Sequence, residues 1–271
     1  MGCTGKYREL DYEYFTSGDY SRVRSEARYA ADEALKLDPR LAEAHAALGQ
    51  ILLDLDWNWT AANVELNRAI ELDPGNADAY VWASYVARVQ GRFDDAERLG
   101  QHAAVLDPLS YWSYESFAGC YLASGKFSAA ADAYRRAIDL APSGSQLHFL
   151  LGWVLIAAGQ PAAALTEMEH ESDERYRDVG LALALDALGR NVEADRALTS
   201  AETKYPTVVE YPIAVVYANR KNLDRAFEWL NRAVQLHDGW VPWTPWDPLL
   251  KNIRSDVRYK SLLRKLNLPE K

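Results

Sequence analysis

The sequence has little cysteine, since Cys3 and Cys120 are the only two among 271 residues. A disulfide framework therefore does not hold the fold together. Long apolar runs are also missing, because no stretch approaches the roughly 18–20 consecutive apolar residues that cross a bilayer. The N-terminus lacks the apolar core of a secretory signal. These absences favour a cytoplasmic protein without a membrane span, and a periplasmic location is left open for the case that a segment precedes Met1.

The formal charge of −9 is unevenly distributed. Residues 251–271 contain seven Lys or Arg against two acidic residues, a net of +5 that leaves −14 on the rest. Because nucleic-acid affinity depends on clustered cations, the acidic body predicts no nucleic-acid partner. The basic end is interpreted as the solvated face of a terminal helix.

Catalytic and metal-binding motifs are missing as well. The five histidines form no HExxH pattern, and neither a phosphate-binding glycine loop nor a GxSxG sequence occurs. An acidic run over 167–174 could bind a metal ion, but a solvated turn is favoured. The sequence therefore predicts no catalytic residue, no cofactor and no metal site, and an enzyme with an unrecognised site is kept only as a remote alternative.

What the sequence does contain is a repeated phrase that ends in proline. ALKLDP ends at Pro39, AIELDP at Pro74, AAVLDP at Pro108 and AIDLAP at Pro142, in steps of 35, 34 and 34 residues. Small residues recur in register with these prolines, where two helices are expected to approach closely. The small-residue positions are Ala27, Ala34, Gly49, Ala62, Ala69, Ala96, Ala103, Ala130, Ala137, Gly152, Ala194, Ala201, Ala226 and Ala233.

A glycine divides most of these units into two halves. Gly91, Gly125, Gly159 and Gly189 occupy the same place in four units. A glycine there can adopt φ > 0 and end a first helix, whereas the later proline cannot continue a helix and ends the second. Each unit of ~34 residues is therefore predicted to be a helical hairpin.

This spacing resembles the tetratricopeptide repeat (TPR). The resemblance implies an all-α, right-handed α-solenoid of about seven helical hairpins with a C-terminal capping segment. Residues 1–7 are then an N-terminal tail, 8–238 the solenoid and 239–271 a Trp/Pro-rich segment with a capping helix. The predicted hairpins are about 8–39, 42–74, 77–108, 111–142, 145–171, 175–206 and 207–238.

The resemblance also implies a binding surface, because the first helices of such repeats line a concave groove. Carried over to this sequence, the groove is aromatic in its middle with a few charges beside it. Whether Trp112 and Trp153 bind a partner or pack against neighbouring helices is left open. The candidate partner-binding residues are Tyr85, Arg88, Trp112, Glu115, Phe149, Trp153, Tyr176, Asp186 and Tyr211.

A second candidate surface contains Trp240, Trp243 and Trp246. The interleaved prolines favour a polyproline II conformation, with three residues per turn and the tryptophans along one edge. Capping of the last hairpin is favoured over partner binding. The apolar residues predicted to complete this cap are Leu249, Leu250, Ile253, Val257, Leu262, Leu263 and Leu266.

A narrower resemblance comes from the string DWNWTAANVELNRAIELDPGNADAY and from the ending WDPLLKNIRSDVRYKSLLRKLNLP. Both look like the C-terminal TPR region of bacterial winged-helix transcriptional regulators and adenylate cyclase-type signalling proteins. The predicted function is a non-catalytic protein- or peptide-binding module in the regulatory or sensory part of such a protein. The alternative is a stand-alone adaptor or self-assembling scaffold, and homo-oligomerisation is left open.

Overall fold

A computed structural model describes residues 20–205 and 207–268, and this part of the chain is helical without any β-strand. The all-α prediction is therefore confirmed. Residues 8–19 of the hairpin predicted over about 8–39, and the predicted tail 1–7, lie outside the described residues. The helices are α1 (Tyr20–Leu37), α2 (Ala42–Asp54), α3 (Trp59–Leu72), α4 (Ala77–Val89), α5 (Phe93–Leu106), α6 (Tyr111–Ala123), α7 (Phe127–Leu140), α8 (Leu147–Ala157), α9 (Pro161–His170), α10 (Glu174–Ala187), α11 (Asn191–Lys204), α12 (Glu210–Asn219), α13 (Leu223–Gln235) and α14 (Val257–Lys265), with 3₁₀ helices over Val241–Trp243 and Pro248–Ile253.

The chain divides into two compact units, residues 1–117 and 118–271. In unit 1, α2 pairs with α3 and α4 with α5, while the first helices α2 and α4 also contact each other. In unit 2, the pairs are α8–α9, α10–α11 and α12–α13, and the first helices α8, α10 and α12 contact in that order. Within each unit, neighbouring first helices therefore share one face.

The turn between the two helices of a hairpin is closed by a left-handed residue. The four glycines at this place have φ between 74° and 76°, as predicted. After Gly91, the Arg92 amide donates to the Ala87 carbonyl at 2.9 Å, which satisfies a carbonyl that the helix end would leave unpaired. Lys221 occupies the same place in the last hairpin at φ 60°. Glycine avoids the steric cost that a side chain carries in this conformation.

Small residues lie where the helices of a hairpin cross. Gly49 on α2 shows why: a Cβ atom there would lie 2.5 Å from Leu66 Cγ on α3. Ala34 is half-buried, and Ala31, one turn earlier on α1, is buried instead. The other small-residue positions are all buried: Ala27, Gly49, Ala62, Ala69, Ala96, Ala103, Ala130, Ala137, Gly152, Ala194, Ala201, Ala226 and Ala233.

The hairpin α8–α9 ends differently from the others, because α9 has 10 residues where α3, α5, α7 and α11 have 14. The acidic run that follows was predicted to be a solvated turn, and for Glu171 this is wrong. Its side chain is 1% exposed and accepts from the Gln146 amide at 3.2 Å and the Phe149 amide at 3.0 Å. A carboxylate satisfies the unpaired amides at a helix N-terminus, so Glu171 caps α8.

The C-terminal residues fold back on the last hairpin. The 3₁₀ helix Pro248–Ile253 packs on α12, and most of the apolar residues predicted for the cap are buried. Val257 is the exception at 84% exposure, so its predicted place in the cap is wrong. Tyr259, Leu262, Leu263 and Leu266 follow helical i, i+3, i+4, i+7 spacing and form the buried stripe of α14, which Val257 does not join.

The polyproline II conformation predicted for the tryptophan segment is also wrong. Residues Val241–Trp243 form a 3₁₀ turn, closed by the Trp243 amide donating to the Trp240 carbonyl at 3.0 Å. A 3₁₀ helix also has three residues per turn, so side chains three apart still share an edge. The Trp240 and Trp243 ring centroids are accordingly 5.9 Å apart.

Candidate functional site

In unit 1, the candidate residues on α4 and α6 make polar contacts with each other. The Tyr85 hydroxyl donates to Glu115 Oε1 at 3.4 Å, and the Arg88 guanidinium lies 4.6 Å from the centre of the Tyr85 ring. Tyr85 is 7% and Arg88 is 2% exposed. Burial raises the pKa of Glu115 to about 7, although the charge of Arg88 and the Tyr85 hydroxyl act in the opposite direction. This face of unit 1 therefore places a guanidinium, a phenol hydroxyl and a carboxyl group of raised pKa close together.

Trp112, on α6, differs from its neighbours in unit 1. It is 40% exposed, and its ring lies 5.2 Å from that of Tyr111. Of the two tryptophans for which the sequence left binding or packing open, Trp112 presents an accessible ring and Trp153 does not.

In unit 2, the candidate aromatic residues come together as one buried cluster, here called the aromatic groove: Phe149, Trp153, Tyr176 and Tyr211. They lie on α8, α10 and α12, the first helices of three successive hairpins, and each is at most 2% exposed. Their burial has a specific cause. The half-buried Trp240 lies among them, with ring centroids 5.7 Å from Phe149, 5.9 Å from Trp153, 6.3 Å from Tyr176 and 6.2 Å from Tyr211.

Asp247 ties the same segment to two of the three helices. Its carboxylate accepts from the Trp153 indole N–H at 3.3 Å and from the Tyr211 hydroxyl at 3.0 Å. It also accepts from the Leu249 amide at 2.8 Å, which caps the second 3₁₀ helix. Burial raises the pKa of Asp247, and these three donors oppose that shift by stabilising the charged form.

Asp238 holds the other end of the segment. Its carboxylate accepts from the Tyr211 amide at 3.1 Å and the Trp240 amide at 2.9 Å, so it caps α12 as Glu171 caps α8. Burial raises its pKa to about 6. Glu210, beside it at the start of α12, is 1% exposed, and its Oε1 atom has no hydrogen-bond partner among the described residues. Burial raises the pKa of Glu210 to about 7, and the charge of Asp238 adds to the effect.

Asp186, the charged candidate of unit 2, is paired rather than grouped with the aromatic residues. The Arg220 guanidinium donates to both of its carboxylate oxygens, at 2.5 Å and 3.0 Å, and to Asp195 at 2.8 Å.

Residues 238–250, here called the groove segment, form a part of the site that the sequence predicted to be a separate surface. The tryptophan spacing was visible in the sequence, but no sequence signal linked it to the aromatic groove.

Other kinds of site find no support in the part of the chain that the structure describes. Groups of three or more His, Cys, Asp or Glu side chains placed to hold a metal ion do not occur in residues 20–205 and 207–268. None of the described helices is both long enough and apolar enough to span a bilayer.

Solved structures share this fold at low sequence identity. A chain of the APC/C hetero-tetramer Cut9-Hcn1 matches with a TM-score of 0.63 and 17% identity, covering 94% of this chain and 48% of that one, so this chain spans about half the length of that relative. PilW, described as a widely conserved type IV pilus biogenesis factor, matches with a TM-score of 0.60 and 19% identity over 76% of this chain and 95% of its own. A thermophilic TPR protein of Thermus thermophilus gives 0.56 and 19% over 71% and 99%.

These identities establish the fold and nothing about the partner. No curated protein sequence matches the chain significantly. The tetratricopeptide repeat family model matches two stretches, residues 58–111 and 121–170. Together with the helical hairpins described above, these matches identify tetratricopeptide repeats over residues 58–111 and 121–170.

Proposed function

We propose that the chain is a non-catalytic protein- or peptide-binding module. The observation that carries this proposal is the aromatic groove, which already holds a non-repetitive peptide segment through ring contacts and hydrogen bonds. Trp and Tyr side chains supply much of the binding energy in protein interfaces, because they bury a large area at a small cost in side-chain entropy. Rings from three helices on one face accommodate an aromatic side chain, as they accommodate that of Trp240 in this structure.

The proposed setting is the regulatory or sensory part of a bacterial signalling or transcription-regulating protein in the cytoplasm. It rests on the resemblance of residues 56–80 and 246–269 to such proteins, stated above. Sequencing upstream of the codon for Met1 in the native gene tests it. An effector domain in the same reading frame supports the proposal, and an intervening stop codon would favour a stand-alone adaptor or scaffold.

Site-specific photo-crosslinking in the native host tests the binding function itself. A photoreactive phenylalanine analogue at Trp112 replaces one accessible ring by another on a first helix. The same analogue at Val64, which is 59% exposed on the second helix α3, is the matched control. A protein adduct formed from position 112 and not from position 64 is expected. Adducts at neither position would contradict a binding role for this face of unit 1.

A further inference from the structure

Two side chains of the groove segment reach into the aromatic groove of unit 2. Trp240 supplies a ring and Asp247, seven residues later, supplies a carboxylate. The groove supplies the matching partners from its helices: four rings, an indole N–H on α8 and a phenol O–H on α12. Trp153 and Tyr211 are 2% and 0% exposed, so both donors lie deep in the groove.

This chemistry defines a ligand class. A buried donor that loses its partner costs free energy, so a ligand without an acceptor at this place is disfavoured. A carboxylate is the strongest acceptor among protein side chains, and the ring cluster selects an aromatic side chain nearby. The groove is therefore complementary to a segment that combines a tryptophan with a carboxylate several residues away.

Residues on either side of 239–246 make contacts outside the aromatic groove. Leu250 and Ile253 are fully buried in the cap, and the Asn219 side-chain Nδ2 donates to the Leu249 carbonyl at 3.1 Å. At the other end, α13 ends at Gln235 and is followed by His237 at φ 53°. Trp240, Trp243 and Trp246 are only half-buried, in contrast to the cap residues. Val241 and Thr244 between them are fully buried, and the Tyr259 hydroxyl of α14 donates to the Thr244 carbonyl at 3.4 Å. Lifting of residues 239–246 therefore breaks these contacts, while Leu250 and Ile253 remain in the cap.

We propose that the aromatic groove recognises peptide segments that present a tryptophan and a carboxylate, and that the groove segment is an internal ligand which such a partner displaces. The inference rests on the proposed binding function and adds its ligand class and its regulation. The apparent affinity for a partner is then the intrinsic affinity multiplied by the fraction of molecules in which the groove is open.

The probe that tests this is a fluorescein-labelled synthetic peptide with the sequence of residues 237–250, HDGWVPWTPWDPLL. It is titrated into the full wild-type chain and into the full chain carrying Trp240→Ala and Asp247→Ala, with fluorescence anisotropy as the readout. We expect the variant to bind the probe with a Kd at least tenfold lower than that of wild type, because the internal anchors no longer compete. A second probe has alanine at the positions of Trp240 and Asp247 and is otherwise unchanged. It should bind neither protein.

A matched control variant carries Trp82→Ala and Asp95→Ala, the same two residue types in unit 1, where Trp82 is half-buried as Trp240 is. It should bind the probe as wild type does. Equal Kd values for wild type and the Trp240/Asp247 variant, or no binding by a variant with wild-type circular dichroism, would overturn the inference. Either result leaves the proposed function standing if crosslinking at position 112 still yields an adduct.

Hydrogen exchange of the wild-type chain decides the case in which the Trp240/Asp247 variant fails to fold. The amides of Val241, Trp243 and Thr244 are bonded within the groove segment, whereas that of Ile213 is bonded in α12. If the segment lifts by itself, its amides exchange at least tenfold faster than that of Ile213. Equal exchange rates would mean that the segment opens only with α12, which overturns displacement by a partner.

Discussion

The two units place side chains at equivalent positions of their first helices but use them differently. In unit 1 the positions hold Tyr85, Arg88 and Glu115, which form a polar cluster linked by a hydrogen bond and a ring contact. In unit 2 they hold rings, and the chain's own groove segment covers those rings. A repeated backbone thus fixes where the inner-face side chains lie, while their chemistry decides what they bind.

The largest expected effect on stability comes from truncating one tryptophan in each unit. Trp153→Ala removes a fully buried ring and the donor to Asp247, so we expect a loss of about 3–5 kcal/mol in the free energy of unfolding. Trp112→Ala removes a ring that is 40% exposed and should cost less than about 1 kcal/mol. Urea unfolding followed by circular dichroism measures both. Similar losses for the two variants would contradict the different environments described for these rings.

A second test uses the buried carboxyl group of unit 2. The pKa of Glu210 is raised from an ordinary 4.5 to about 7 by burial, so the folded state binds its proton more tightly than the unfolded state. Its contribution to stability is present below about pH 4.5 and is lost as the pH rises through 7. Between pH 6 and 8 the melting temperature should therefore fall. Glu210→Gln should make this fall smaller, because it removes a pH-dependent contribution of about 1–3 kcal/mol to the free energy of unfolding.

Two further variants sharpen the pH test. Asp256 has its pKa lowered to about 2, mainly by the hydrogen bond from the Arg258 side chain, so its contribution is lost only as the pH falls toward 2. Asp256→Asn should leave the slope between pH 6 and 8 unchanged. Glu115→Gln in unit 1 should reduce the slope to a similar extent, because burial raises the pKa of Glu115 to about 7 as well. Parallel pH profiles for wild type and Glu210→Gln would refute the assignment.

The tight crossings of the two units should differ in tolerance. A Cβ atom at Gly49 would lie 2.5 Å from Leu66 Cγ, a branch point on a fully buried side chain. A Cβ atom at Gly152 would lie 2.5 Å from Met168 Cε, the end of a flexible chain. Gly49→Ala should therefore cost about 1–3 kcal/mol and Gly152→Ala less. Thermal melts rank them, and the reverse order would show that the helices of unit 1 separate more easily than those of unit 2.

The smallest expected effects concern ion pairs. Arg220 binds Asp186 through two hydrogen bonds, with side-chain exposures of 23% and 16%. Asp186→Asn should cost about 1–2 kcal/mol, because charge-assisted bidentate pairs out of solvent are stronger than exposed ones. The pair of Arg92 and Asp95 in unit 1 is more exposed, and Asp95→Asn should cost less than about 0.5 kcal/mol. Chemical denaturation at two salt concentrations measures the loss in the free energy of unfolding for each variant. Equal losses would contradict the expected difference between the two pairs.

Much of the fold could be predicted from the sequence because its signals are local and repeated. A left-handed glycine such as Gly91 and a proline such as Pro108 each end a helix through the conformation of a few residues. The candidate site was predicted less completely. The positions of Phe149, Trp153, Tyr176 and Tyr211 on one face follow from the repeat, but their burial does not. Glu171 was assigned to solvent because an acidic run does not indicate which helix terminus its carboxylates reach.

The sequence by itself determined the helical hairpins, their period and the small residues at their crossings, since each depends on residues within about 34 positions of one another. The tertiary structure alone decided what covers the inner face of unit 2. Trp153 and Asp247 are 94 residues apart in sequence, and their hydrogen bond belongs to no repeat. A contact of that kind depends on where the chain returns in space, because the free energy of burying Trp240 is gained only against rings that three separate hairpins have already brought together.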